Sequence, residues 1–466
     1  MTSQFVGTAV EDRVRRRAEA LSQPLLEAPA GELRVTRGAG SGEALVAVVG
    51  LGSSGLPSAL ALRRAGFRVL AIDTSASRLS EIRSGRAEQL GVSRRELQAH
   101  LDDTGFVLSD ELAATGAADM VLICVATDVD AHGRPNSEAL ERTCAAAVRN
   151  ARAGQTFVLT SATYVGATRE LLVQPLGERG LSVGEDVFVA FSPERVDPGA
   201  TDHEPLGATR VLGGVTEACF RHASLLLHPI CQELHRVSSP AAGEMVRLYE
   251  STFRAVNIAL AFEMADACRV DALDPIEVTE AAASKPFGFM AHYPSAGVGG
   301  RAVGIDPHHL TAPLRERGFP MTLAESATRI LAARPERVAT RAHELLLRSG
   351  RQLRELRVLV VGAAYKPGVA DTTNAPAVEI VSRLLAEGVQ VDFHDPLVNV
   401  LQVDGEDVYA VDPDPRRDAS GFGPEDYELA IVVGLQPGHD YGWLSRCPQV
   451  LDCTYRQRTG RRHFLL

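Results

Sequence analysis

Two doubly wound parallel sheets of α/β type, joined by a long central helical segment, are predicted from three features of the 466-residue sequence. Continuous apolar runs alternate with helical stretches from Ala44 to Ala190. Such runs, without in-out alternation, mark strands buried on both faces. Between Pro240 and Ala283 strand signals vanish, and Met245, Leu248, Phe253, Val256, Leu260 and Met264 recur at helical spacing. From Val358 the strand–helix alternation returns.

Composition sets outer limits. With 45% hydrophobic and 23% charged residues, the chain buries full-sized cores. Its net charge of −11 argues against nucleic acid as the main partner. The seven cysteines (124, 144, 219, 231, 268, 447, 453) form no C-x-x-C pair and no zinc spacing, so they read as reduced core thiols and no metal site is expected. No apolar run reaches the ~18 residues of a membrane span. The charged stretch Glu11 to Arg17 is not followed by a hydrophobic segment, so a signal peptide is not expected and the expected location is cytoplasmic. Of 48 basic residues only Lys285 and Lys366 are lysine. Arginine keeps its proton at physiological pH, so lysine chemistry has only these two homes.

Along the chain, residues 1–43 read as an extension with one amphipathic helix, Val10 to Leu21, and a glycine-rich linker, Gly38 to Gly42. The first strand, Ala44 to Val49, runs into Gly50-Leu-Gly52-Ser-Ser-Gly55. Helical sequence follows to Ala65, then the strand Arg68 to Ile72, ending at Asp73. In this unit the first glycine makes a tight turn, the second lets backbone approach a pyrophosphate, and the third lets helix pack on strand. The helix N-terminus faces the phosphates. Asp73 lies 18 residues past Gly55, where an acid meets the ribose 2′-hydroxyl. A carboxylate there repels a 2′-phosphate, so NAD is favoured over NADP. Arg78 and Thr127 join Gly50, Gly52, Gly55 and Asp73 as candidate cofactor contacts.

Further strands are expected at Met120–Val125, Thr156–Thr160 and Val187–Ala190, and in the second α/β segment at Val358–Gly362, Val389–Phe393 and Glu428–Val433. The expected partition is 1–43 extension, 44–238 NAD-binding Rossmann-like domain, 239–334 central helical domain, and 335–466 second Rossmann-like domain, and the resemblance set out next implies dimerisation for the central one and nucleotide-sugar binding for the last.

Several blocks then resemble the UDP-glucose/GDP-mannose dehydrogenases, the nucleotide-sugar 6-dehydrogenases, and most closely their UDP-glucose/UDP-N-acetylhexosamine branch. They are Ser192-Pro-Glu-Arg-Val-Asp-Pro-Gly199, Thr252 to Leu260, Lys285-Pro-Phe-Gly-Phe289, Gly297-Val-Gly-Gly300 with Asp306-Pro307, and Tyr365-Lys-Pro-Gly-Val369 with Asp371. The resemblance spans about 44–466. It implies an N-terminal NAD domain, a central helix that makes a homodimer, and a C-terminal domain for the nucleotide diphosphate. It also implies oxidation of a sugar primary alcohol in two hydride transfers, through a thiohemiacetal and a thioester on a cysteine, a covalent route that divides the oxidation into easier steps.

The same resemblance exposes departures. The family's G-x-G-G-H-C segment reads Gly297-Val-Gly-Gly-Arg301-Ala302, so the nucleophile's position holds Ala302. The lysine and asparagine that stabilise the oxyanion fall at Arg247 and Ser251, the water-positioning threonine at Ala162, and the arginine of D-T-R-x-S-P at Thr373. Retained are Glu194, implied in proton relay, Asp306, implied in positioning water, and Lys366 near the nucleotide sugar. The candidate catalytic set is Glu194, Arg247, Ser251 and Asp306, with Ala302 marking the missing nucleophile. The candidate substrate contacts are Arg254, Gly299, Gly300, Arg301 and Lys366, with Arg254 facing a neighbouring subunit's substrate.

Three readings stay open on the sequence. One is an NAD-dependent oxidoreductase stopping after a single two-electron alcohol/carbonyl interconversion on a nucleotide-activated sugar or related nucleoside. Another is an acid-forming dehydrogenase that oxidises the hydrated aldehyde without a thiol. The third is a non-catalytic homologue that binds NAD or nucleotide sugar, or serves as a partner subunit.

Overall fold

The computed structural model describes residues 44–85, 93–130, 133–195, 209–413, 423–456 and 462–466. The extension 1–43 with its expected helix, and Val196–Gly199 of the serine–proline block, lie outside the described residues.

The first sheet has eight strands: β1 (Leu45–Val49), β2 (Arg68–Ile72), β3 (Phe106–Ser109), β4 (Met120–Ile123), β5 (Thr156–Leu159), β6 (Phe188–Phe191), β7 (Arg210–Gly214) and β8 (Leu234–Arg236). Their spatial order is β8-β7-β6-β5-β4-β1-β2-β3, and every neighbouring pair is parallel except β6/β7. Strand order reverses between β1 and β4, the point where such sheets open a crevice for a ligand. The continuous apolar runs have their physical reason in the two cores. Val46 and Val48 of β1 pack with Leu56 and Leu60 of helix α1 (Gly55–Arg64). Ala47 and Val49 pack on the opposite face with Leu140 and Cys144.

Helix α2 (Pro240–Val270) follows, 31 residues and about 46 Å long at 1.5 Å per residue. Ser239 caps it by accepting from the Ala242 N–H, and Pro240 occupies the first turn, where a missing N–H costs nothing. The buried Glu244 anchors this end, accepting from the Gly166 and Thr168 N–H groups and the Thr168 hydroxyl. Helices α3 (Pro275–Ala283), α4 (Asp306–Glu316) and α5 (Thr322–Leu347) complete the middle. α5 runs unbroken past Pro335 and so spans the expected 334/335 boundary, because Leu331, Val338, Ala339, Ala342 and Leu345 form one continuous buried face.

The second sheet has five parallel strands, β9 (Arg357–Val361), β10 (Gln390–His394), β11 (Leu429–Val432), β12 (Val450–Asp452) and β13 (His463–Leu465), in the order β10-β9-β11-β12-β13. This is the 2-1-3-4-5 order of a doubly wound sheet. Val358 and Val360 pack with Ile380 and Leu384 of α6 (Pro376–Ala386) and with α5. Leu359 and Val361 face a separate core with Tyr427 and Leu444.

Arg334 ties middle and second sheet together. It is 1% exposed, lies over the Phe262 ring, and donates to Asp266, the Ser295 carbonyl and the Tyr455 hydroxyl at 2.8, 3.2 and 2.8 Å.

Candidate active site

The glycine turn joins β1 to α1. Gly50 has φ +90°, and a Cβ there would meet the Val125 nitrogen at 2.9 Å. A Cβ on Gly55 would stand 1.7 Å from the Gly50 carbonyl oxygen, so strand and helix approach only without side chains. At Gly52 a Cβ would meet nothing within 4 Å. The backbone there borders open space at the start of a helix with no acidic residue in its first turn, a ready anion site. Asp73 buttresses the turn: Oδ2 accepts from the Leu51 N–H at 2.8 Å and Oδ1 from the Ser75 N–H at 2.9 Å. Arg78 donates through Nε to the Leu51 carbonyl and pairs with Glu81. Thr127 sits after β4, and its hydroxyl donates to the Ala162 carbonyl at 2.6 Å, linking the loops that follow β4 and β5. These six residues fit a dinucleotide: an open cradle, a positive helix end, and an acid at the end of β2.

A second group gathers around Asp306, which is wholly buried at the start of α4. Its Oδ2 accepts from the Ser251 hydroxyl at 2.6 Å and pairs with Arg247 Nε at 2.9 Å. Its Oδ1 is buried without a hydrogen-bond partner. Burial raises its pKa, against the opposing pull of Arg247, Ser251 and the more distant Arg254. Arg247 and Ser251 are one turn apart on α2, so a single helix face brings both to the carboxylate. Arg247 also donates through Nη1 to the Glu194 carbonyl at 2.9 Å. The Glu194 carboxylate is turned elsewhere: both oxygens accept from Arg210 Nη2 at 2.8 Å, and Oε2 from Ser58 of α1 at 3.3 Å. The side chain expected to relay protons is therefore one half of a buried ion pair.

Ala302 accepts the Asp306 N–H on its carbonyl at 2.9 Å. Gly300 donates its N–H to the Thr373 carbonyl and accepts on its own carbonyl from Asn374. Gly299 and Gly300 press on Tyr365, with virtual Cβ distances of 2.6 and 2.9 Å, which places their loop beside Lys366. Arg301, half-exposed, pairs with Asp128 of the first domain at 3.1 Å. Arg254 is exposed on α2. The structure thus brings Arg247, Ser251, Ala302 and Asp306 together and sets Gly299, Gly300 and Lys366 at one joint.

Sequence reasoning missed Arg210, Ser58, Asp128 and Asn374. It also missed His309, buried one turn beyond Asp306 with neither ring nitrogen bonded and its pKa pushed down to about 4 by burial. No spacing signal marks any of the five: the first four meet partners 16 to 173 positions away, and His309 is set apart only by its burial. Burial disfavours the thiolate at five of the seven cysteines. Burial pushes Cys124, Cys144 and Cys447 up to about 12 and raises Cys453 and Cys231. The thiolate is the nucleophilic form.

An open glycine turn, an acid at the end of the second strand and a second doubly wound sheet define an NAD-binding oxidoreductase scaffold. Residues 44–231 match the NAD binding domain, 241–331 the central domain and 359–421 the UDP binding domain of one family. The chain belongs to the UDP-glucose/GDP-mannose dehydrogenase family. It is 30% identical over 356 residues to the UDP-N-acetyl-D-glucosamine 6-dehydrogenase of Pseudomonas aeruginosa, covering 76% of this chain and 83% of that protein. It is 30% identical over 354 residues to the UDP-N-acetyl-D-mannosamine dehydrogenase of Pyrococcus horikoshii, covering 76% and 84%. Among solved structures, a UDP-D-ManNAc dehydrogenase from Pyrococcus horikoshii superposes with a TM-score of 0.77 at 25% identity, over 90% of this chain and 98% of that one. A UDP-glucose dehydrogenase from Pyrobaculum islandicum shares the fold, with a TM-score of 0.76 at 24% identity, over 92% and 98%. Among the described residues no helix is long and apolar enough to cross a membrane.

The cradle is testable apart from turnover. Because a side chain at position 52 meets nothing, Gly52→Val is expected to melt like the parent protein. Its bulk would sit where the pyrophosphate approaches, weakening NAD at least about tenfold, or 1.4 kcal/mol. Calorimetric titration with NAD reads this directly, and parental affinity would show that the phosphates lie elsewhere.

Proposed function

We propose that the chain carries out one two-electron alcohol/carbonyl interconversion on a nucleotide-activated sugar, without a covalent intermediate. The observation that carries this reading is the buried Asp306 with Ser251 and Arg247 at hand, beside a residue 302 that has no nucleophilic atom. NAD, when bound, supplies the hydride acceptor. The chain's own residues handle the proton. Ser251 takes the proton of the substrate hydroxyl while passing its own along the 2.6 Å bond to Asp306 Oδ2. Arg247 is fixed through Nε and Nη1, which leaves Nη2 to stabilise the developing alkoxide. Glu194, held by Arg210, orients Arg247 through its carbonyl. Gly299, Gly300 and Lys366 receive the sugar nucleotide at the joint between the middle segment and the second sheet. With Ala302 in the nucleophile's place, the carbonyl product leaves without forming a thioester.

Dimerisation through α2 completes the reading. Met245, Tyr249, Phe253, Leu260 and Met264 are all exposed along one stripe of that helix, Tyr249 by 69%, an apolar surface that suits a second copy. Arg254 lies between Phe253 and Ala255 on the same helix and reaches toward the neighbouring copy's substrate. Tyr249→Asp is expected to convert a dimer to a monomer in light scattering after gel filtration. A parent protein that is already monomeric at micromolar concentration would reject this interface.

Product stoichiometry separates the readings. Incubated with NAD and a panel of nucleotide sugars, the protein is expected to yield one NADH per sugar and a carbonyl product by mass. Two NADH and an acid would instead support the acid-forming route. Bound NAD with no turnover across the panel would support a binding protein.

Asp306 works as base only when ionised, and its pKa is raised. Oxidation should therefore fall as pH is lowered through a value above the ordinary carboxylate range of about 4. Asp306→Asn should lose roughly 10²–10⁴-fold in kcat and with it this acidic limb. An unchanged acidic limb in the variant would assign the base elsewhere.

A further inference from the structure

A cleft of about 530 Å³ opens where the C-terminal end of α2 meets α5 and the edge strand β13. Arg269, Leu273, Arg341, Tyr455, His463 and Phe464 line it, and none of them belongs to the cofactor turn or the Asp306 group. A smaller hollow of about 270 Å³ adjoins it and shares Arg269 and Arg341. The volume lies within the range that holds small organic ligands.

Its charge is unbalanced. Asp266 pairs with both Arg334 and Arg337 in the smaller hollow, one negative charge against two positive, and Glu344 takes one end of Arg341. Arg269 has no ion-pair partner among the described residues. Arg341 Nε and His463 Nε2 are buried without a hydrogen bond, and the acid nearest to His463, Asp452, stays at 3.8 Å. Buried donors left unmade are costly, and a bound acceptor relieves them. The rest of the wall is apolar (Ala265, Leu273, Pro275, Phe464 and Leu465) except for Asp274, whose Oδ1 caps α3 by accepting from the Ile276 and Glu277 N–H groups. Backbone strain gathers here too. Of four non-glycine residues with positive φ among those described, Ala272 at 55° and Tyr455 at 58° both line this cleft. Such strain persists where surrounding structure imposes it, and it clusters at functional sites.

A bonded path leads from the cleft to the candidate active site. The Tyr455 hydroxyl accepts from Arg334 at 2.8 Å, Arg334 donates to the Ser295 carbonyl at 3.2 Å, and the Ser295 hydroxyl donates to the Gly297 carbonyl at 2.8 Å. Gly297 opens the loop that carries Gly299, Gly300 and Ala302.

The geometry points to an effector site: the cleft binds a small organic anion with an apolar body and one carboxylate, phosphate or sulfonate, and occupancy is felt at the Gly297–Gly300 loop through Tyr455 and Arg334. The anion meets Arg269 and the free Nε of Arg341, and its body lies against Leu273 and Phe464. The site does not depend on the reaction proposed above, since it requires only that the loop meet the nucleotide. By thermodynamic reciprocity, effector and nucleotide must change each other's affinity by the same factor, typically about 5–150-fold.

Anilinonaphthalene sulfonate has the required chemistry and reports its own binding by fluorescence. Titrated into the full chain with NAD saturating, it is expected to bind at one saturable site. Arg269→Glu, an exposed change, is expected to weaken it at least about tenfold while leaving the melting temperature and NAD affinity as in the parent. UDP affinity, measured by calorimetry with and without the probe, is expected to shift by the same factor as probe affinity with and without UDP. Absence of saturable binding, indifference to Arg269→Glu, or competitive displacement by NAD would overturn the site. Identical UDP affinity with and without the probe would overturn its link to the loop.

Discussion

Asp306 is the constraint around which the rest is arranged. A carboxylate with no exposure is expensive to bury, and the structure meets that cost with Arg247 and Ser251 from one turn of α2. Arg247 continues to the Glu194 carbonyl, Glu194 to Arg210, and Ser58 of α1 joins the same carboxylate. One network therefore runs from the helix under the cofactor turn, through the middle helix, to the start of α4. Removing Arg210 leaves the buried Glu194 carboxylate without its ion-pair partner, which typically costs about 3–5 kcal/mol in such pairs. The relative placement of the glycine turn and Asp306 follows from this chain of contacts.

The network also gives physical sense to Arg247 and Arg301. Arg247 spans two acceptors at once because its guanidinium is a planar fork, which a lysine ammonium does not reproduce. Arg301 reaches Asp128 of the first domain and so crosses from the glycine loop to the cofactor side. An overall drift toward arginine, with two lysines in the whole chain, supplies the residue type, while the tertiary contacts give it work. No such drift accounts for alanine at 302 or threonine at 373.

Much of the fold was legible. The strand Arg68–Ile72 and the helices after Gly55 and Ala375 stand where apolar period and glycine or proline signals put them, because buried parallel strands and amphipathic helices leave strong local patterns. The short strands β3, β7, β8, β12 and β13 were not legible: β3, β8 and β13 lie at sheet edges, β7 has one antiparallel neighbour, and β12 has only three residues, too few to carry a period. α5 passes through Pro335, where proline removes a backbone donor, because its buried face continues on both sides. Of the candidate site, the glycine turn and Asp73 were readable because their geometry is local. Glu194 kept its place but not its expected surroundings, since its ion pair comes from a strand 16 residues further on.

The amino-acid order settled the class of fold, the preference for NAD and the family. Each of these rests on residue types at short spacing, where backbone sterics and hydrogen bonding act within a turn or two. The folded chain settled which groups meet. Ser251 and Asp306 are 55 positions apart, Arg334 and Tyr455 are 121 apart, and the pairings exist only because two sheets and a 31-residue helix close around them. Burial follows from that closure, and burial raises the pKa of the Asp306 carboxyl and of the Cys124 thiol above their ordinary ranges.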